Sequence, residues 1–156
     1  MRNWDGIDSS QPTSFGALTR SELMSRVRSR GNTTTEMRLL HLIREQGLKG
    51  FRRHVALPGH PDFVWKEERV AVFVHGCFWH GHRCARNLSP RRNKELWQLK
   101  IDATRKRDRR SATQLRAQGW RVLTVWECVL KTKPNACIRR ISRVVTVNKI
   151  ISKETR

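Results

Sequence analysis

The chain has 156 residues, and its 33 Lys+Arg against 13 Asp+Glu give a net charge of +20. With 37% apolar residues it is one domain's worth of chain with a modest core, and such a charge opposes compaction by self-repulsion unless a polyanion offsets it. No apolar run is long enough to span a bilayer, no secretory leader is expected, and the basic residues are spread along the chain, so membranes are excluded and nucleic acid is the expected partner.

In chain order, residues 1–18 are mixed polar with no periodicity and read as a flexible arm, leaving 19–156 as a single domain. The stretch "TRSELMSRVRSR" opens with Thr19 and Glu22 at capping-box spacing and predicts a short basic helix. "TTTEMRLLHLIREQG" repeats the device with Thr33 and Glu36. Met37, Leu40 and Ile43, with Leu39 alongside, form its apolar face, and Gly47 ends it. Three β-rich runs follow: "FRRHVAL", "DFVW" after the turn "PGHP", and "VAVFVHG", the last apolar enough for a central strand. Residues 76–93 have no periodicity and predict a long loop. Residues 94–118 predict a helix bearing the basic run "KIDATRKRDRR". "GWRVLTVWEC" predicts a second buried strand, "NACIRRISRVV" a basic helix, and the tail is expected to fray. The order ααβββ, loop, αβα describes an α/β fold, a mixed sheet flanked by helices.

The long loop carries "HGCFWHGHRC". Cys77, His82 and Cys84 are three potential ligands within eight residues, and Cys128 is a candidate fourth. Thiolate and imidazole in a tetrahedral set suit Zn²⁺. His80 competes with His82 for the third place, and spacing alone leaves that choice open. Without a secretory leader the thiols are expected to be reduced, and Cys137, within a helical pattern, reads as a core thiol.

Asp62 begins one strand and His75 ends the next, so an antiparallel pair would bring both to one edge of the sheet. There a carboxylate can hold Mg²⁺ against a phosphate while an imidazole takes a proton from water. Taken alone, Asp62 reads sooner as a turn residue after "PGHP", while Glu36 is also the acidic half of a capping box and Asp108 a candidate local ion-pair partner. Glu36 also falls at helical spacing with Leu40 and Ile43, which turns it toward the sheet.

"LPGHPDFV", "FVHGCFWHGHRC", "RDRR" and "GWRVLTVWEC", in this order and at these separations, resemble the very-short-patch (Vsr) mismatch repair endonucleases of bacteria. The resemblance runs from about Thr19 to Cys128. It implies a restriction-endonuclease-like fold related to the PD-(D/E)xK nucleases, and nicking of DNA 5′ of the mismatched thymine in a T·G pair. On this chain it implies that Asp62 and the backbone carbonyl of Val74 ligate Mg²⁺, and that His80 is the general base with Glu36 near it. It further makes His75 a second catalytic histidine with Asp108 as its partner, and Cys77, His82, Cys84 and Cys128 the zinc set. Phe78, Trp79 and Trp97 resemble an aromatic wedge that enters the base stack. The basic helix, through Lys100, Arg105, Lys106 and Arg107, is expected to grip the DNA backbone. A monomer on mismatched double-stranded DNA is expected, cytoplasmic and nucleoid-associated when bound, with general mismatch-repair proteins as candidate partners. The competing readings are a zinc-stapled DNA-binding module without catalysis and a double-strand restriction endonuclease on the same fold.

Overall fold

A computed structural model describes residues 35–84 and 94–154, with side chains through residue 147. The expected arm 1–18, the helix opening at Thr19, the Thr33 cap and residues 85–93 lie outside the described residues. In chain order the described residues form α1 (Glu36–Glu45), β1 (Phe51–Arg53), β2 (Phe63–Trp65), β3 (Val70–His75), α2 (Lys94–Ala117), β4 (Arg121–Trp126), α3 (Glu127–Thr132) and α4 (Pro134–Glu154).

The strands join in the order β1-β2-β3-β4. The first three are antiparallel neighbours, with Arg53 opposite Phe63 and Phe63 opposite Val72, while β3 and β4 run parallel with His75 opposite Trp126. A parallel pair needs a crossover, and α2 supplies it. The result is the mixed, helix-flanked sheet expected from the sequence.

Alternation along β3 divides the interior in two. Val70 and Val72 face a core completed by Leu39, Leu40 and Ile43 of α1, Leu130 of α3, and Cys137, Ile138, Ile141 and Val145 of α4. Ala71 and Phe73 face the other way, onto Leu115 of α2 with Leu57, Trp120 and Val122 around it. Cys137 is thus a core thiol, as its helical setting implied. Both helix ends that precede a strand close the same way. Gly47 (φ 67°) and Gly119 (φ 80°) take the left-handed conformation, and the next residue's N–H reaches back, Leu48 to Ile43 at 3.1 Å and Trp120 to Leu115 at 3.0 Å.

Four expectations are corrected. Helix α1 starts at Glu36 behind Thr35, which makes no side-chain cap, so Glu36 stands in the first helical position rather than three residues inside a capping box. Met37 is 38% exposed, because the core takes Leu39, Leu40 and Ile43 and a 100° turn per residue leaves Met37 outside. Among the described residues β4 lies at the edge of the sheet and buries only Leu123 and Val125, where a buried strand was expected. After it, α3 forms directly on "ECVLKT", and α4 stays helical to Glu154 where a frayed tail was expected.

Candidate active site and metal centre

The antiparallel turn from β2 to β3 brings Asp62 beside Val74. The Asp62 N–H donates to the Val72 carbonyl at 3.0 Å, and the Val74 N–H donates to Asp62 Oδ2 at 2.6 Å. Burial pushes the Asp62 carboxyl up to about 6, against the lowering effect of the Val74 N–H, and the nearby charge of Glu36 pushes it further up. Glu36 is only 3% exposed. Its Oε1 accepts from Arg53 Nε at 3.2 Å and from Arg53 Nη2, and His54 Nε2 lies 3.2 Å away. Burial and the nearby charge of Glu36 both disfavour a bare Asp62 carboxylate, and a divalent cation bound to Asp62 would offset that cost. The contact seen from Val74 is its N–H to Asp62.

His75 closes β3 on the α2 side of the sheet and is buried. His80 stacks on it, ring centroids 3.8 Å apart and 5° from parallel. Burial, and then the neighbouring His80, push the His75 imidazole down to about 4, so it is neutral at ordinary pH. Asp108, on α2, meets His80 rather than His75: its Oδ2 lies 2.5 Å from His80 Nδ1. This corrects the expected pairing, and its cause is the turn at 76–81, which brings His80 back over His75 and onto the helix. Burial works to raise the Asp108 carboxyl, but the hydrogen bond and charge of His80 hold it below the usual range. A carboxylate accepting from Nδ1–H leaves Nε2 as the basic nitrogen of a neutral ring.

Cys77, His82, Cys84 and Cys128 place their ligand atoms all within 4.8 Å of one another. Cys128 Sγ lies 3.4 Å from His82 Nδ1, and the Cys128 N–H donates to Cys77 Sγ at 3.4 Å. A tetrahedral zinc with bonds of about 2.0–2.3 Å separates its donors by roughly 3.5–3.8 Å, so the four residues fit that ion. Burial pushes the Cys77 thiol up to about 12, and a bound cation reverses that preference. His82 rather than His80 completes the set. His75, His80 and Asp108 form a separate cluster, also within 4.8 Å.

Phe78, Trp79 and Trp97 are half-buried, outside both core clusters, and in mutual contact with ring centroids 5.2–5.7 Å apart. A cavity of about 290 Å³ lined by Trp79, Trp97, Lys100, Ile101, Ala103 and Thr104 opens beside them. Lys100 sits over the Trp97 ring at 5.3 Å. Lys106 and Arg107 are exposed along α2, and Arg105 is half-buried.

Sequence reasoning missed Arg53, His54 and Trp126. No short-range signal announces Arg53 and His54, whose partner Glu36 lies 17 and 18 residues back. Trp126 was legible, since it sits two residues before a candidate zinc ligand at the end of a strand.

The family model of the DNA mismatch endonuclease Vsr matches residues 14–86. The DNA mismatch endonuclease Vsr of Escherichia coli (strain K12) is 45% identical to this chain, over 72% of each. The chain belongs to the Vsr family. The type II nicking enzyme V.XorIIP of Xanthomonas oryzae pv. oryzae is 46% identical over 71% of this chain and 81% of its own. The nicking enzyme V.NmeAIP of Neisseria meningitidis serogroup A is 34% identical over 84% and 92%. Among solved structures, a homing endonuclease catalytic domain is similar over 72% of this chain and 94% of its own, at 19% identity and a TM-score of 0.49. As a Vsr-family member the chain is an endonuclease. No helix among the described residues is long and apolar enough to cross a membrane.

Proposed function

We propose that this endonuclease nicks one strand of duplex DNA 5′ of the mismatched thymine in a T·G pair, by hydrolysis assisted by Mg²⁺. The observation that carries the reading is the hydrogen bond from His80 Nδ1 to Asp108, at the same end of the sheet as Asp62 and one residue from the aromatic pair. A Mg²⁺ ion held by Asp62 and the Val74 carbonyl would neutralise charge developing on the scissile phosphate. His80 takes the proton of the attacking water at Nε2, and Asp108 stabilises the imidazolium that results. The P–O3′ bond breaks, leaving a 5′-phosphate and a 3′-hydroxyl that gains a proton. His75, kept neutral by burial, supports the His80 ring from below and is the second catalytic histidine. Glu36 lies close enough to Asp62 to influence its charge, and Arg53 and His54 pair with it.

Phe78, Trp79 and Trp97 act as the wedge. Unstacking a base step costs a few kcal/mol and least at a mispair, which makes the wedge a source of selectivity. Lys100, Arg105, Lys106 and Arg107 hold phosphates without reading sequence. Zn²⁺ on Cys77, His82, Cys84 and Cys128 is structural, since four protein ligands leave no open position. The working form is a cytoplasmic monomer, nucleoid-associated when on DNA, with general mismatch-repair proteins as candidate partners.

The test separates binding from cutting. Asp62→Ala is expected to bind a T·G duplex as the wild type does while nicking ceases. An Asp62→Ala protein that nicks at the wild-type rate refutes the assignment. A wild-type protein that binds but leaves both strands whole is a zinc-stapled binder, and one that cuts both strands of paired DNA is a restriction nuclease.

A further inference from the structure

The two ligand-bearing clusters touch one common side chain that neither the zinc set nor the catalytic set includes. Trp126 ends β4 directly opposite His75 on the neighbouring parallel strand and two residues before Cys128. Its ring lies parallel to His82, centroids 4.2 Å apart and 13° from coplanar. The same ring meets His75 edge-on at 5.4 Å and His80 at 6.5 Å with an interplanar angle of 73°. One indole therefore covers the flat face of a zinc ligand and bounds the stacked histidine pair. The alternation of β4 explains the placement. Leu123 and Val125 point into the core under α1 and α4, so Trp126 points to the face where His75 stands.

We propose that Trp126 is a positioning residue that couples the zinc loop to the catalytic histidines, fixing the ring plane of His82 with its face and the His75–His80 stack with its edge. The inference deepens the proposed function and rests on the roles given there to His75, His80 and zinc. An imidazole ligand turns freely about its Cβ–Cγ bond unless something holds it. Metal sites hold it by hydrogen bonds or by packing, and loss of such support characteristically costs about ten- to a hundred-fold in metal affinity or activity. Here the holding surface is aromatic, and its size matters. A phenyl ring keeps the stack on His82 but withdraws from His75, whereas an aliphatic chain gives neither a flat face nor an edge.

The experiment uses the full chain as zinc-loaded wild type, Trp126→Phe and Trp126→Leu. Zinc release to a chelator, the visible spectrum of the Co²⁺-substituted protein, and kcat and KM on a nicked-strand assay are measured in parallel. Trp126→Leu is expected to release zinc about ten-fold or more faster, to shift the Co²⁺ spectrum, and to lose kcat about ten- to a hundred-fold with KM changed little. Trp126→Phe is expected to restore zinc retention and the Co²⁺ spectrum while keeping a measurable loss of kcat. Wild-type zinc release with wild-type kcat in either variant overturns the inference, as does a Trp126→Phe protein that matches the wild type in every readout. Should Trp126→Leu fail to fold, Trp126→Phe decides alone through the split between intact zinc retention and reduced kcat. A wild-type chain that holds zinc but nicks nothing is the failure of the proposed function instead, and the zinc and Co²⁺ readouts remain informative about Trp126.

Discussion

The carboxylate side of the site and the loop side are built on different supports. Asp62 is bonded into the ladder between β2 and β3, and Glu36 is packed at the start of α1 under Arg53 and His54. Residues 76–84, by contrast, have no strand ladder: their backbone makes turn contacts, His80 to the Gly76 carbonyl at 3.3 Å, Gly81 to Phe78 at 3.2 Å and His82 to Cys77 at 2.9 Å, and their side chains lean on Asp108, His75 and Trp126. Such single turns are marginal in water. The loop nonetheless carries His80 and two of the three rings proposed as the wedge. On the function proposed above, the carboxylate that would bind metal is positioned by the fold, whereas the proton acceptor and the aromatics sit on the loop that the Cys/His centre would brace.

The largest effect follows from removing that centre. Stripping zinc, or substituting Cys128→Ser, is expected to abolish nicking while far-UV circular dichroism keeps the strand and helix signal. Zinc contributes about 10–16 kcal/mol in peptides that fold around it, far more than the turn bonds here can replace. Global unfolding on chelation would erase the distinction between the two sides. Next, His80→Ala is expected to lower kcat about 10²–10⁴-fold with little change in DNA affinity, measured in single-turnover nicking and in a binding titration. An unchanged rate would remove the base from the loop side altogether.

Phe78→Ala and Trp79→Ala sharpen the comparison from the DNA's side. Each is expected to weaken mismatch binding by about 1–3 kcal/mol, roughly 5–150-fold, and affinity for paired DNA less. Equal losses on both duplexes would make the rings mere contact area. Smallest is Gly81→Ala. The residue sits at φ 60°, and a Cβ there would lie 2.6 Å from Ile101 Cγ2 and 3.2 Å from Arg105 Cδ of α2. A cost of about 1–2 kcal/mol is expected in thermal unfolding, together with reduced nicking because the loop must lift from the helix. An Ala variant of wild-type activity would show that the loop does not need that close approach.

Much of this was legible in the sequence. Short β-rich runs separated by turn residues placed β1, β2 and β3, and the antiparallel step from β2 to β3 put Asp62 and His75 at one end. The Cys/His spacing named the zinc set apart from the choice between His80 and His82, which only the family resemblance resolved. What stayed hidden depended on contacts distant in sequence. Which histidine Asp108 meets is decided by how residues 76–81 fold back onto α2. The ion pairing that holds Glu36 joins a helix start to a strand end. Residue Met37 was misjudged because amphipathic spacing defines a stripe without saying where its edge meets solvent.

The most direct measurement is strand-specific nicking of end-labelled duplexes that differ only in a central T·G or T·A pair, with Mg²⁺ present and zinc content verified. The account predicts a single nick on the thymine strand 5′ of the mismatched T, and no cleavage of the paired duplex. Cutting of both duplexes alike, or no cutting by the zinc-loaded protein, would contradict it.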